Sequence, residues 1–193
     1  MPRSSRHSAR AAPPVAMVDY PLCPEVTLAE LTEACRAAVP ALLAREDAPP
    51  ALIAAGHSAG GHLAVELAAT DWSRRGFDRP AVAGVLALSG VYDLVPLLAT
   101  PLNDKLGLDE AAAHAASPLD RLPDGLPPAF FAVGGAETRA FAAQSARMHE
   151  AWLTSGAESR FQLVPGADHM TLLEEFEAPG SVLLAAARWL GRL

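Results

Sequence analysis

The chain has 193 residues, 51% hydrophobic and 19% charged, which describes one globular domain able to bury a core without disulfides or metals and excludes a disordered protein. A formal net charge of −7 would repel polyanions, so neither nucleic acid nor an anionic membrane surface is an expected partner. No apolar run approaches the ~18 residues that a membrane span requires.

The first 14 residues, MPRSSRHSARAAPP, are rich in Arg, Ser, Ala and Pro and lack an apolar stretch. They are expected to form a disordered low-complexity tail and not a secretory leader, leaving 15–193 as a single domain. Val15–Tyr20 (VAMVDY) is an apolar run expected to form a strand, ended by Pro21. Pro24 and Thr27 then open a helical pattern with Leu28, Leu31, Cys35 and Leu42 on one face, which Pro40 should kink or end early. The two cysteines, Cys23 and Cys35, have no CxxC spacing and are expected to be free thiols in a reducing cytoplasm.

Ala51–Gly56 (ALIAAG) is a continuous apolar run of the kind covered on both faces, followed by a helix over about Ala59–Thr70. Val82–Ser89 is the next strand. Tyr92–Leu122 is long and irregular, with one helical stretch; a connection of that length is usually functional. Ala129–Val133 forms a strand set up by Pro127 and Pro128, and a helix follows with Phe141, Ser145, Met148 and Trp152 on one face. Arg160–Val164 is the last strand, and a final helix carries Val182, Ala186 and Trp189 as its buried stripe. Strands alternating with helices predict an α/β fold with a mostly parallel sheet and helices on both faces.

Gly56-His57-Ser58-Ala59-Gly60 lies between an apolar strand and a helix. That strand–turn–helix setting is what a nucleophile elbow requires. The sharp turn strains the serine, and Gly56 and Gly60 are expected to remove the Cβ atoms that would clash. The Ser58 hydroxyl would stand at the carboxyl end of the sheet, with the helix N-terminus behind it and the Ala59 N–H aimed at an oxyanion.

A serine needs a base, and the base an acid. Of six histidines, His7 lies in the tail and His57 inside the elbow, where its side chain should point away from that of Ser58. His62 is one turn into the following helix, and His114 and His149 are expected on solvated helix faces. His169, in Pro165-Gly166-Ala167-Asp168-His169-Met170, follows the last strand, where the base of such a fold belongs. For the acid, Glu137 follows the Gly134-Gly135 turn, Asp93 follows the preceding strand and Asp168 adjoins the histidine. Glu137 occupies the favoured slot, with Asp93 and Asp168 as alternatives.

With these residues placed, the sequence resembles the kynurenine formamidase (arylformamidase) branch of the α/β-hydrolases and the small esterases around it. The resemblance spans roughly residues 17 to 193 and rests on DYPLCPEVTLAE, GHSAGGHLAVELAATDW, ALSGVYDLVPL, PLNDKLGLDEAAAHAASP, VGGAETRAFAAQS and VPGADHM. GHSAGGHLA is widespread among esterases; LSGVYDL combined with Asn103-Asp104 and GGAET is more specific. In that family the acid follows the double glycine, and the separation to its histidine matches that between positions 137 and 169. Asp168 and Met170 depart from the more usual Asn and Phe.

The resemblance implies hydrolysis of N-formyl-L-kynurenine to L-kynurenine and formate, with Ser58, Glu137 and His169 as the triad and no metal or cofactor. A carboxylesterase acting on small acyl esters is the alternative. The family also carries an HGG-type motif upstream, whose loop gives a second oxyanion donor. No such motif occurs in this sequence, so the chain is expected to lack the N-terminal strands of the fold, through truncation or a misread start. Three consequences are expected: impaired activity, extending to a catalytically dead remnant; a first strand without its natural neighbour; and exposed apolar surface favouring self-association or a homodimer.

Overall fold

The computed structural model describes residues 14–192. Six α-helices and four strands lie in the order α1 (Leu28–Leu43), β1 (Leu52–His57), α2 (Ala59–Ala68), β2 (Val82–Leu88), α3 (Asn103–Leu106), α4 (Glu110–Ala116), β3 (Ala129–Gly134), α5 (Arg139–Thr154), β4 (Ser159–Val164) and α6 (Val182–Leu190). The four strands form one sheet in chain order, β1-β2-β3-β4, with every pair parallel.

Side-chain alternation along the strands decides which helices cover which face. Val85, Ala87, Ala129 and Phe131 point into a core shared with Val39 of α1, Ala64 and Val65 of α2, and Met148 and Trp152 of α5. Leu86, Leu88, Phe130 and Ala132 point the other way, against Leu183, Ala186 and Leu190 of α6 and against Leu172. Both faces are therefore covered, and the apolar β2 and β3 are buried along nearly their whole length.

Thr27 starts α1 through a capping box: its hydroxyl accepts from the Glu30 N–H at 3.2 Å, and its own N–H donates to the Glu30 carboxylate at 2.8 Å. The expected early stop at Pro40 does not occur. The helix runs on to Leu43, because Val39 is 2% exposed in the main core and Leu43 packs against that core, which outweighs one lost hydrogen bond near the helix end.

Four further expectations are corrected. Val15–Tyr20 forms no strand; it has no regular secondary structure, and Val15 and Met17 are 81% and 91% exposed. An isolated strand has no ladder partner, and the outer edge of β1 pairs with nothing among the described residues. Tyr92–Leu122 is more ordered than expected, with two 3-10 turns (Val95–Ala99 and Pro118–Asp120) as well as α3 and α4. The Asn103 side chain there exchanges two hydrogen bonds with the Leu108 backbone, at 2.9 and 3.0 Å. The buried stripe of α6 is Leu183, Ala186 and Leu190, while Val182 and Trp189 are half-buried at its sides. His149 is half-buried, its Nδ1 lies 2.8 Å from the Ser159 hydroxyl, and its ring stacks on Phe161.

One buried charge is absent from the sequence reading. Glu66 on α2 is 2% exposed. It accepts from Arg36 of α1 at 2.7 Å and from Arg121, which follows the Pro118–Asp120 turn. This carboxylate ties α1, α2 and the end of the irregular region together. The tail assigned to residues 1–14 lies outside the described residues except for Pro14.

Candidate active site

The carboxyl ends of β1, β2 and β3 lie side by side, and each contributes to one cluster. After β1 the chain turns sharply into α2 at Ser58, whose φ of 56° and ψ of −118° lie where L-residues are strained. The turn is held by the Ser58 N–H donating to the Leu88 carbonyl of β2 at 2.9 Å, and by the Ser58 carbonyl accepting from Gly61 and His62. Gly56 is indispensable, since a Cβ there would lie 2.1 Å from the Gly60 carbonyl oxygen. The expected second requirement, at Gly60, does not hold: a Cβ there meets nothing within 4 Å. Gly61 takes that part, its Cβ position lying 2.9 Å from the Gly90 Cα after β2.

Ala59 is the first residue of α2 and is exposed. Its N–H is among the helix-start donors that have no intrahelical acceptor, and the helix dipole adds positive potential at the same place.

After β3, the tight turn at Gly134 brings two loops together; a Cβ on Gly134 would lie 2.3 Å from the Ala167 carbonyl oxygen. This approach sets Glu137 beside His169. His169 Nδ1 lies 2.7 Å from Glu137 Oε2, and the Glu137 side chain is only 1% exposed. Its other oxygen, Oε1, accepts from the Gly134 N–H at 2.8 Å and from the Ser89 hydroxyl at 2.5 Å. A carboxylate only accepts, so Nδ1 carries the proton and Nε2 is left as the basic nitrogen.

The alternative acids are engaged elsewhere. Asp93 pairs with Arg147 at 3.1 Å and caps the Val95 N–H. Asp168 accepts from the N–H groups of Met170 and Thr171 and from the Thr171 hydroxyl; these bonds hold its carboxyl below the ordinary aspartate range. Among the other histidines, His62 is 5% exposed with Nδ1 3.0 Å from the Val91 carbonyl oxygen, and His114 is exposed and paired with Asp120.

Two features escaped the sequence reading. Ser89 is fully buried and, with Ser58, is the second non-glycine residue of positive φ among the described residues; the available signal was a hydroxyl closing a wholly apolar strand. His57, expected only to point away from the Ser58 side chain, adjoins His169. Its ring lies 4.4 Å from that of His169, centroid to centroid. Ser58 and His169 are each half-buried, with Ser58 on the elbow and His169 on the loop after β4. Among the described residues the Ser58 hydroxyl makes no hydrogen bond. No group of three or more His, Cys, Asp or Glu residues able to hold a metal ion occurs among the described residues, and none of the described helices is long and apolar enough to cross a membrane.

Comparison with known proteins agrees with this architecture. A solved structure described as a candidate thioesterase from Silicibacter sp. TM1040 superposes with a TM-score of 0.71 at 32% identity, covering 87% of this chain and 61% of that one. An esterase of the bacterial hormone-sensitive lipase family superposes with a TM-score of 0.70 at 24% identity, over 90% of this chain and 62% of that one, which speaks for the fold alone. The kynurenine formamidase of Salmo salar is 29% identical over 167 residues, 83% of this chain and 56% of that protein, so the chain spans little more than half the length of this relative. A family profile described as alpha/beta hydrolase fold matches residues 3–173, and with that match, the parallel sheet and the elbow, the chain belongs to the α/β-hydrolase family.

Proposed function

We propose that the chain is a serine hydrolase with Ser58 as nucleophile, His169 as base and Glu137 as the acid that orients it, and that its substrate is N-formyl-L-kynurenine. The observation carrying this reading is the 2.7 Å contact between His169 Nδ1 and a Glu137 carboxylate sealed from solvent, on the loops beside a serine in the strained elbow conformation.

The chemistry follows from that arrangement. The Ser58 hydroxyl attacks the formyl carbon while Nε2 of His169 takes its proton. The developing oxyanion is met by the Ala59 N–H, which needs no reorganisation to receive it. The imidazolium, stabilised by Glu137, then gives its proton to the departing aryl amine, releasing L-kynurenine and leaving a formyl-serine. Water, deprotonated by the same nitrogen, attacks this ester; formate leaves and Ser58 regains its proton. Next to Ala59 lies a cavity of about 290 Å³ with mostly apolar walls, among them Tyr20, Leu28, Leu63 and Leu102, a surface suited to an aryl group. The substrate class is further supported by the likeness to the salmon kynurenine formamidase.

A carboxylesterase on small acyl esters is the second reading, favoured by the likeness to a protein described as a candidate thioesterase. Steady-state turnover of N-formyl-L-kynurenine and p-nitrophenyl acetate separates the two. A kcat/KM more than about tenfold higher for the ester, over 1.4 kcal/mol in transition-state binding, would assign the chain to the esterases. A fluorophosphonate probe that leaves Ser58 unlabelled in folded protein would show a scaffold without catalysis.

A further inference from the structure

His169 stands on the loop after β4 with its side chain 31% exposed, and Glu137 holds only one of its ring nitrogens. A single hydrogen bond leaves the imidazole free to rock about that contact, yet general-base catalysis needs Nε2 directed at one hydroxyl. The structure supplies two further contacts. The His57 ring lies 4.4 Å from the His169 ring with their planes at 44°, and the Phe141 ring lies 4.5 Å away at 35°. His57 ends β1 immediately before Ser58, and Phe141 is in the first turn of α5, four residues after Glu137. The imidazole is thus held by a strand end, a helix start and the acid loop at once.

His57 suits this role in its neutral form. Its Nε2 is buried with no hydrogen-bond partner, so that nitrogen makes no polar contact while the ring face lies against His169. Burial first, and the neighbouring His169 second, hold its pKa below the ordinary histidine value. A neutral ring can rest against the imidazolium that His169 becomes during turnover, whereas a second cation there would oppose that charge.

We propose that His57 and Phe141 are positioning residues that clamp the His169 imidazole in its working orientation through ring packing. The proposal rests on the reading of His169 as the base. It requires an aromatic face at position 57 and no ionisable nitrogen, a demand that a hydrogen-bonding or proton-transfer role for His57 would not make.

The test compares His57→Ala, His57→Phe and Phe141→Ala with the parent chain, each first shown to be folded by its circular dichroism and melting transition. His57→Ala and Phe141→Ala should lower kcat by about 10- to 100-fold, the order of loss that misplaced catalytic groups cause, with KM unchanged within about twofold. His57→Phe should recover most of the kcat lost in His57→Ala. Proton NMR of the His169 ring supplies a readout independent of turnover: its Cε1 proton should be shifted by the neighbouring rings in the parent and in His57→Phe, and should move toward the free-histidine position in both alanine variants. Full kcat in His57→Ala, or equal losses in His57→Ala and His57→Phe, would overturn the clamp. If the parent neither turns over substrate nor labels at Ser58, the hydrolase reading fails, and the NMR comparison still decides whether the two rings hold the imidazole.

Discussion

A carboxylate almost sealed from water is costly unless donors surround it, and Glu137 has three: His169 Nδ1, the Ser89 hydroxyl and the Gly134 N–H. Under the proposed mechanism, Glu137→Gln keeps the volume but lets an amide, which can also donate, face Nδ1, so the wrong tautomer is favoured. A loss of roughly 10²–10⁴ in kcat is expected, by analogy with the acid of other serine triads. Asp93→Asn and Asp168→Asn should each change kcat by less than about threefold, an effect under 1 kcal/mol, because their carboxylates serve an ion pair and a turn. Steady-state kinetics on the three variants checks the ranking, and an Asp93 or Asp168 variant as impaired as Glu137→Gln would reassign the acid.

The histidines also set a pH dependence. Burial depresses the pKa values of His62, His57 and His149 below the ordinary histidine value. The unfolded chain therefore binds more protons than the folded one as pH falls below the unfolded value of about 6.5, and stability drops with it. His114, raised by Asp120, works in the opposite direction, but it is exposed and screened by solvent. The melting temperature should fall between pH 7 and pH 5, and His62→Gln should flatten that fall. A melting temperature that is constant or rises on acidification would contradict it.

Among the elements, the β1–α2 joint is the tightest. Gly56→Ala would press its methyl carbon to 2.1 Å from the Gly60 carbonyl oxygen, which forces the elbow open. We expect a protein that is destabilised by roughly 1–3 kcal/mol, as overpacking typically costs, or that does not fold. Gly60→Ala, directed into open space, should be tolerated. Melting curves of the two variants settle the contrast, and equal stability would mean that the joint is looser than described. The Glu66 node is the second tight joint. Glu66→Leu removes the carboxylate that Arg36 and Arg121 share and leaves Arg36, partly buried, without it. Losing one partner of a buried pair costs about 3–5 kcal/mol; solvent reaches both arginines here, so the low end is expected, read as a shift in the urea midpoint.

At the scale of the whole molecule, the sheet has a covered centre and an uncovered side. The outer edge of β1 has no strand partner among the described residues, and Val15, Met17 and Leu22, ahead of α1, expose apolar surface. Such an edge templates further pairing. Sedimentation velocity should show self-association that rises with concentration; a monomer at all concentrations would show that the edge is protected. Under the proposed mechanism the oxyanion site is the functional counterpart, with the Ala59 N–H as its donor. A second donor, supplied by joining the N-terminal strands of a related hydrolase, should raise kcat by roughly 10²–10³. An unchanged kcat in a folded chimera would argue against the oxyanion reading.

How much of this the sequence carried depends on the range of the interaction. The runs at 51–56, 82–89, 129–133 and 160–164 announced the four strands to within one residue at each end, and the setting of Ser58 between strand and helix announced the elbow, because backbone propensity and side-chain periodicity act over a few residues. Glu137 and His169 could be picked from their places after strand ends, since the order of elements along the chain fixes which loops share an end of a parallel sheet. The tertiary structure alone decided the rest. Val15–Tyr20 had strand composition but no neighbour to pair with. Pro40 was overruled by packing at the end of α1. Gly61, and not Gly60, faces the crowded side of the elbow. Ser89 on Glu137, the two arginines on Glu66, and His57 and Phe141 on His169 join residues that are mostly distant in sequence. Those contacts arise from directions in space, which a linear pattern of residue types does not encode.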